Sequence, residues 1–253
     1  MTASQPLFTV RLARDAEDLI AAQRLRYDVF VGEMGSQGAL VDHDARLEQD
    51  RFDPYFDHML LIDEARPGAP VVGVYRLLRD EQARAMGQFY SEDEYDLAPL
   101  RTSGLPLLEL GRSCLHPDYR GGLAMYHLWN ALARYVEDHG IRILFGVASF
   151  PGTDIQALAH PLSQLHDRHL APPELRVTSR GMQRMDLIPP DAIDRKRAMV
   201  DTPALIKAYL KLGGFVGDGA FVDHGFNTTD VCLILDTARM NDRQRAIYTG
   251  GRG

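Results

Sequence analysis

The sequence is poor in cysteine, in long apolar runs and in positive charge, and each shortage excludes a class of protein. Cys114 and Cys232 are the two cysteines. No disulfide framework is implied, and a reducing compartment is expected. Each lies in an apolar, strand-like run and reads as a buried core thiol, not as a covalent acyl carrier. No stretch approaches the roughly 18 apolar residues of a spanning helix, so any membrane contact is expected to be peripheral. Met1 to Val10 lacks a basic segment followed by an apolar core, so no signal peptide is expected. The formal net charge is −7, which argues against a nucleic-acid partner. Internal repeats and low-complexity tracts are missing as well.

What remains is ordinary globular sequence. The chain has 253 residues, 45% apolar and 25% charged. That suffices for a sizeable core in one large domain, or in one with an appended lobe. Phe8 to Ala13 reads as a strand. Asp15 is a candidate helix N-cap with Asp18 in the capping-box position, and Asp18 to Val31 is expected to be helical. Gly35 to Tyr55 is polar and holds Asp42, His43, Asp44, Glu48, Asp50 and Asp53. It reads as a mobile loop over a site or as a solvated connection. His43 lacks a second histidine at ligand spacing, so no metal is expected there. His58 to Asp63 and Val71 to Leu78 read as a hairpin around the turn Arg66-Pro67-Gly68-Ala69-Pro70. Asp80 to Gly104 is a polar insertion.

The most informative stretch is Leu107 to Gly122. Leu108, Leu110 and Leu115 mark a strand between Pro106 and Pro117. Glu109 and Arg112 lie inside it, and Arg76 lies inside the strand before. A charge buried in a strand is expensive unless it is paired or used. The strand gives way to a Pro- and Gly-containing turn, then to a helical pattern from Leu123 to His139 stopped by Gly140. A strand, a glycine turn and a helix start make an anion site, and Arg120 adds a fixed positive charge. Ile141 to Ala148 reads as a buried strand beside the Glu109 strand. Ile155 to Leu170 reads as a helix carrying His160, His166 and His169, and no metal site is inferred from them. Val200 to Leu212 reads as a second amphipathic helix ended by Gly213-Gly214, and Val231 to Leu235 as a last strand. Basic residues gather at Arg176, Arg180, Arg184 and Arg195-Lys196-Arg197.

Several phrases resemble known proteins. Cys114-Leu115-His116-Pro117-Asp118-Tyr119-Arg120-Gly121 is similar to the fourth strand and acyl-carrier loop of the GNAT acyltransferases, although Leu123 stands where the first motif glycine belongs. Leu25-Arg26-Tyr27-x-Val29-Phe30 resembles the opening helix of acyl-homoserine lactone synthases and of the ornithine N-acyltransferases of ornithine-lipid synthesis. Phe89 to Leu97, Ser149 to Asp154 and Pro203 to Asp230 resemble the ornithine acyltransferases in particular. The resemblance implies an α/β (α+β) fold. Its central sheet is mixed, mostly antiparallel and splayed between two strands, with helices on both faces. It implies a single GNAT-like domain, 1–253, with a helical insertion at about 155–212.

The function implied is transfer of a 3-hydroxyacyl chain from acyl carrier protein to the α-amino group of L-ornithine. The phosphopantetheine comes with the donor, acyl carrier protein rather than coenzyme A, because the carrier loop departs from its motif. No cofactor is bound permanently. Glu109 as general base and Arg112 are the expected catalytic pair. Arg26, Phe30, Asp53 and Arg76 are expected at the substrate. His116, Arg120, Gly121 and Gly122 are expected at the phosphopantetheine. A cytoplasmic chain touching the inner membrane peripherally is expected, with the Arg176–Arg197 cluster meeting carrier protein or anionic lipid. The alternatives are an acyl-homoserine lactone synthase, an acyl-coenzyme A-dependent GNAT N-acyltransferase, and a non-catalytic acyl-binding regulator.

Overall fold

The computed structural model describes residues 5–248. The first four residues of the Met1 to Val10 stretch, read for a signal peptide, lie outside it. Ten strands alternate with eight α-helices among the described residues. In chain order they are β1 (Phe8–Leu12), α1 (Ala16–Arg26), β2 (Asp57–Asp63), β3 (Val71–Arg79), α2 (Asp80–Met86), β4 (Tyr95–Asp96), α3 (Ala98–Thr102), β5 (Leu107–Leu115) and α4 (Ala124–Asp138). There follow β6 (Ile143–Pro151), α5 (Ala159–His169), β7 (Thr178–Ser179), α6 (Arg195–Asp201), α7 (Ala204–Lys211), β8 (Phe215–Val216), β9 (Phe221–Asp223), β10 (Thr228–Asp236) and α8 (Asp242–Tyr248).

The chain forms two compact units. The first holds residues up to Met86, then Leu110–Gly140 and Tyr248. Its strands run in the order β1-β2-β3-β5, with β1–β2 and β2–β3 antiparallel. Side-chain alternation gives this sheet two apolar faces. Leu60, Ile62, Val74 and Cys114 face α1, where Ala22 and Leu25, with Val29 just beyond the helix end, close the core. Leu61, Gly73 and Leu115 face the other way, against Leu128 of α4. Helices therefore cover both faces of this sheet, as the resemblance implies. Asp15 caps α1 as expected, accepting from the Asp18 N–H. The Asp18 carboxylate instead takes the Arg11 guanidinium and the Arg14 N–H. After Arg26 the helix widens into a π-helical stretch, Tyr27–Glu33, a distortion that concentrates at functional sites.

The second unit holds Gly87–Glu109 and Ile141–Ile247. β5 thus contributes its first three residues here and the rest to the first unit. Leu107, Leu108 and Glu109 pair in parallel with Ile143, Leu144 and Phe145, and the ladder ends there although both strands are nine residues long. β6 then pairs antiparallel with β10 along its whole length, and β10 pairs with β8 and β9. Every residue of β10 is buried. β5–β6 is parallel while β1–β2, β2–β3, β6–β10, β10–β8 and β10–β9 are antiparallel, so the fold is mixed α/β with a mostly antiparallel sheet.

One expected helix is two. Thr202 precedes Pro203 and is extended, with ψ 128°, because the proline ring clashes with a helical residue before it. The run expected at Val200 to Leu212 is therefore cut into α6, capped by Asp194, and α7. The helix expected from Ile155 starts at Ala159.

Gly73 shows how tight the first core is. A β-carbon there would lie 2.7 Å from a Leu115 methyl and 3.1 Å from Leu128 and Leu61 atoms. Gly73→Ala is expected to destabilise the protein by about 1–3 kcal/mol, as overpacking does. A urea melt with an unchanged midpoint would contradict this packing.

Candidate functional site

Three arginines and three carboxylates meet inside the first unit. Arg26 ends α1, Arg76 lies mid-strand in β3, and Arg112 lies in β5. Glu48, Asp50 and Asp53 come from the polar segment between α1 and β2. Arg26 holds Glu48 through Nε at 2.5 Å and grips Asp53 with two nitrogens at 2.7 and 3.2 Å. Arg76 Nη1 reaches Asp50 at 2.7 Å and Asp53 at 2.8 Å, and its guanidinium lies 4.1 Å over the Phe56 ring. Arg112 reaches Glu48 at 3.1 Å and Asp50 at 3.4 Å. Gln23 completes Asp53 at 2.9 Å.

These distances explain how six charges tolerate burial: each carboxylate meets two guanidinium groups in the fork geometry arginine offers. Burial pushes the Asp53 carboxyl up, but Arg26 and Arg76 outweigh it and hold the group well below its usual range. Burial likewise opposes ionisation of Glu48 and Asp50. Arg112 and Arg26 override it for Glu48, and Arg76 and Arg112 for Asp50. The segment around them is therefore pinned to the sheet and is not a solvated connection. The cluster has an inside and an outside. The Arg26 and Arg76 side chains are 0% exposed, whereas Asp50 is 18% and Arg112 12% exposed. Arg112 also sits at φ +48°, a left-handed conformation inside a strand. Such strain costs a non-glycine residue about 1–3 kcal/mol and gathers where geometry serves function. Phe30 is half-buried against the α1 core. His43 hydrogen-bonds the Tyr27 hydroxyl through Nδ1 at 3.0 Å.

The expected carrier loop follows β5. His116 Nδ1 accepts from the Asp118 N–H, a 3₁₀ turn spans Pro117–Tyr119, and Gly121 takes φ +75°. No side chain caps the N-terminus of α4, whose N-cap is Leu123. The Arg120 guanidinium is engaged by the exposed Glu33 carboxylate, with two bonds at 2.6 and 2.7 Å.

Glu109 is placed in the second unit, 1% exposed. Its carboxylate accepts from the Tyr90 N–H at 2.7 Å, the Ser91 N–H at 2.6 Å and the Ser91 hydroxyl at 2.5 Å. The 3₁₀ turn Tyr90–Asp93 is thereby hooked onto β5. The edge-on contact of Phe89 with Phe145, 5.0 Å between centroids, holds the residue just before the same turn. Sequence reasoning read this segment only as part of a polar insertion that resembles the ornithine acyltransferases, and missed Ser91. It also missed Glu94, Asp223 and Asp230, each with one carboxylate oxygen within 4.8 Å of the others'. Spacing gave no hint, because the three come from one turn and two different strands. Both cysteines are buried, and burial raises their thiol pKa values, Cys114 to about 12. Their reading as core thiols fits that environment. Two cations of the Arg176–Arg197 cluster are compensated by neighbours: Arg184 pairs with Asp186 and Arg197 with Asp201.

Comparison with known proteins decides the family. The L-ornithine N(alpha)-acyltransferase of Rhodobacter capsulatus is 58% identical, with 100% of each chain aligned. This chain belongs to the L-ornithine N(alpha)-acyltransferase family. The protein of the same name from Brucella abortus is 42% identical over 94% of this chain and 88% of its own. The acetyltransferase (GNAT) domain family matches residues 25–130. Two solved structures share the fold. An N-acyl amino acid synthase from uncultured soil microbes, FeeM, has a TM-score of 0.52 at 13% identity and covers 93% of each chain. The acyl-homoserine lactone synthase LasI has a TM-score of 0.52 at 17% identity and covers 97% of this chain and 96% of its own.

The charge cluster makes stability depend on pH in a definite sense. Glu48, Asp50 and Asp53 have folded pKa values below their ordinary 4.5, 3.8 and 3.8. Their contribution is complete above those ordinary values and is lost as pH falls through the depressed ones. The melting temperature should hold down to about pH 5 and fall below about pH 4. Asp53→Ala leaves two buried guanidinium groups short of a partner and is expected to cost about 3–5 kcal/mol. Calorimetric melts of both proteins across pH 3–8 check this. A loss below about 1 kcal/mol for Asp53→Ala would contradict it.

Proposed function

We propose that this chain is itself an L-ornithine Nα-acyltransferase. It moves a 3-hydroxyacyl chain from acyl carrier protein to the α-amine of ornithine, forming the amide and releasing the carrier thiol. The single observation that carries the reading is identity of 58% across the whole of a relative so named. The chemistry needs a neutral amine, a held carboxylate and an oriented thioester.

Arg112 and Asp50, the outward members of the charge cluster, meet the amino acid. Arg112 takes the substrate carboxylate by charge-assisted hydrogen bonds. Arg26, Asp53 and Arg76 act from behind by fixing Arg112 and Asp50, and Phe30 holds α1 in the core that sets Arg26. Glu109 takes up the proton of the attacking amine through the Ser91 hydroxyl, which already donates to it. The relay keeps the general-base role for a carboxylate that has almost no surface of its own.

The carrier's phosphopantetheine meets the turn of His116, Arg120, Gly121 and Gly122 and the uncapped start of α4. Two features favour a single phosphate over the pyrophosphate of coenzyme A. Leu123 replaces a motif glycine, and Glu33 already offsets the charge of Arg120. No helix among the described residues is long and apolar enough to cross a membrane. The product is amphipathic, and peripheral contact at the cytoplasmic face of the inner membrane suits its delivery. Arg195 and Lys196, exposed at the start of α6, are the cations for carrier protein or anionic lipid.

The test is reconstitution. Full-length protein is given 3-hydroxyacyl carrier protein or the matching coenzyme A thioester, with ornithine or S-adenosylmethionine, and products are read by mass spectrometry. Acylornithine formed preferentially from the carrier thioester is expected. Glu109→Gln and Ser91→Ala should each lower kcat about 10²- to 10⁴-fold while carrier binding persists. Consumption of S-adenosylmethionine would establish a lactone synthase instead. Undiminished turnover in both variants would remove the relay.

A further inference from the structure

The acidic trio of the second unit has no role in the reading above. Strand register places it. Asp230 of β10 lies opposite Ser149 of β6 and Phe221 of β9, and Thr228 lies opposite Asp223. Alternation puts Thr228 and Asp230 on one face of β10, with Asp223, Phe221 and Ser149 as their neighbours on that face. Ser149 is exposed, whereas Asp230 is 4% and Thr228 6% exposed. The face is therefore open at Ser149 and closed at Asp230. Glu94, 5% exposed, is delivered from the turn that Ser91 hooks onto Glu109.

Two observations mark this place as a cation site. One oxygen from each of Glu94, Asp223 and Asp230 lies within 4.8 Å of the other two. A nitrogen at the centre of such a triangle is at most about 2.8 Å from each oxygen, within reach of charge-assisted N–H···O bonds. Independently, the buried Thr228 hydroxyl on this face has no hydrogen-bond partner among the described residues. A buried hydroxyl is normally satisfied, and one left over beside three carboxylates is an acceptor waiting for a donor.

We propose that Glu94, Asp223 and Asp230, with Thr228, bind the side-chain ammonium of the amino-acid acceptor. The inference rests on the ornithine reading and deepens it, since it names the groups that select a diamino acid. An alkylammonium presents three N–H donors, which the three carboxylates and the Thr228 hydroxyl can share, whereas calcium takes six to eight oxygens. Phe221, half-buried on the same face, gives the methylene chain an apolar wall. The δ-ammonium bound here stays protonated, so only the α-amine is left to attack.

The experiment compares L-ornithine with L-norvaline, the same carbon chain without the δ-amine, in full-length protein and in Asp230→Asn and Asp223→Asn. The readout is the ratio of kcat/KM for the two acceptors. Wild type is expected to prefer ornithine strongly, and each variant to shrink that preference about 10- to 100-fold, the worth of a hydrogen bond to a charged group. An unchanged ratio, with both acceptors equally impaired, would overturn the proposal and leave the trio structural. Should Asp230→Asn fail to fold by circular dichroism, the half-exposed Asp223 still decides. Calorimetry with calcium chloride in place of ornithine covers the other cation. Heat of binding abolished by Asp230→Asn, with ornithine preference intact, would overturn the proposal in favour of a divalent-metal site. A wild type that acylates ornithine with no preference refutes this inference alone. A wild type that acylates no ornithine refutes the function as well.

Discussion

Six charges gathered in one place, four of them fully buried, are the constraint on which the first unit depends. Arg26, Arg76 and Arg112 would each be prohibitive alone in an apolar core, as would Glu48, Asp50 and Asp53. Together they form a neutral, closely bonded set. Such a set is a poor source of net stability, because desolvation offsets most of the attraction, but it tolerates no alternative arrangement. It welds the long segment before β2 to β3 and β5, and it fixes the strained backbone of Arg112. An arginine held by two carboxylates at a left-handed position has one orientation, which suits the role proposed for Arg112, because a substrate carboxylate needs a donor that does not move.

The second unit uses the same logic with one charge. Glu109 is held by the Tyr90 and Ser91 N–H groups and the Ser91 hydroxyl. The carboxylate organises a turn that would otherwise be a polar excursion of the chain. Three residues beyond Ser91 that turn delivers Glu94 to Asp223 and Asp230. The thiol of Cys232, two positions along β10 from Asp230, is raised by burial first and then by both Glu109 and Glu94. A hook and an acid cluster thus share one stretch of backbone.

Much of this was legible from the sequence, for identifiable reasons. Strands β2, β3, β5 and β6 announce themselves as apolar runs between turn residues. Arg76, Glu109 and Arg112 stood out because charge inside such runs demands an explanation. Partners were not legible. Arg26 and Asp53 are 27 positions apart, and Arg112 and Glu48 are 64 apart, so no periodicity links them. The polar segment that holds Glu48 and Asp53 read as a mobile or solvated loop because composition cannot reveal a buried counter-charge elsewhere in the chain. The break at Pro203 was written in the sequence, and amphipathic spacing on either side obscured it. The trio of Glu94, Asp223 and Asp230 exists only once β9 and β10 pair.

A double-mutant cycle between Glu48 and Arg112 tests most directly whether the charge cluster orients the arginine proposed to meet the substrate. Glu48→Gln, Arg112→Lys and the double variant would be compared in kcat/KM for transfer to ornithine. The account predicts strong non-additivity, a coupling of about 1–3 kcal/mol, with the double variant little worse than Arg112→Lys alone. Losses that simply add would contradict it, because Arg112 would then work without the network that holds it.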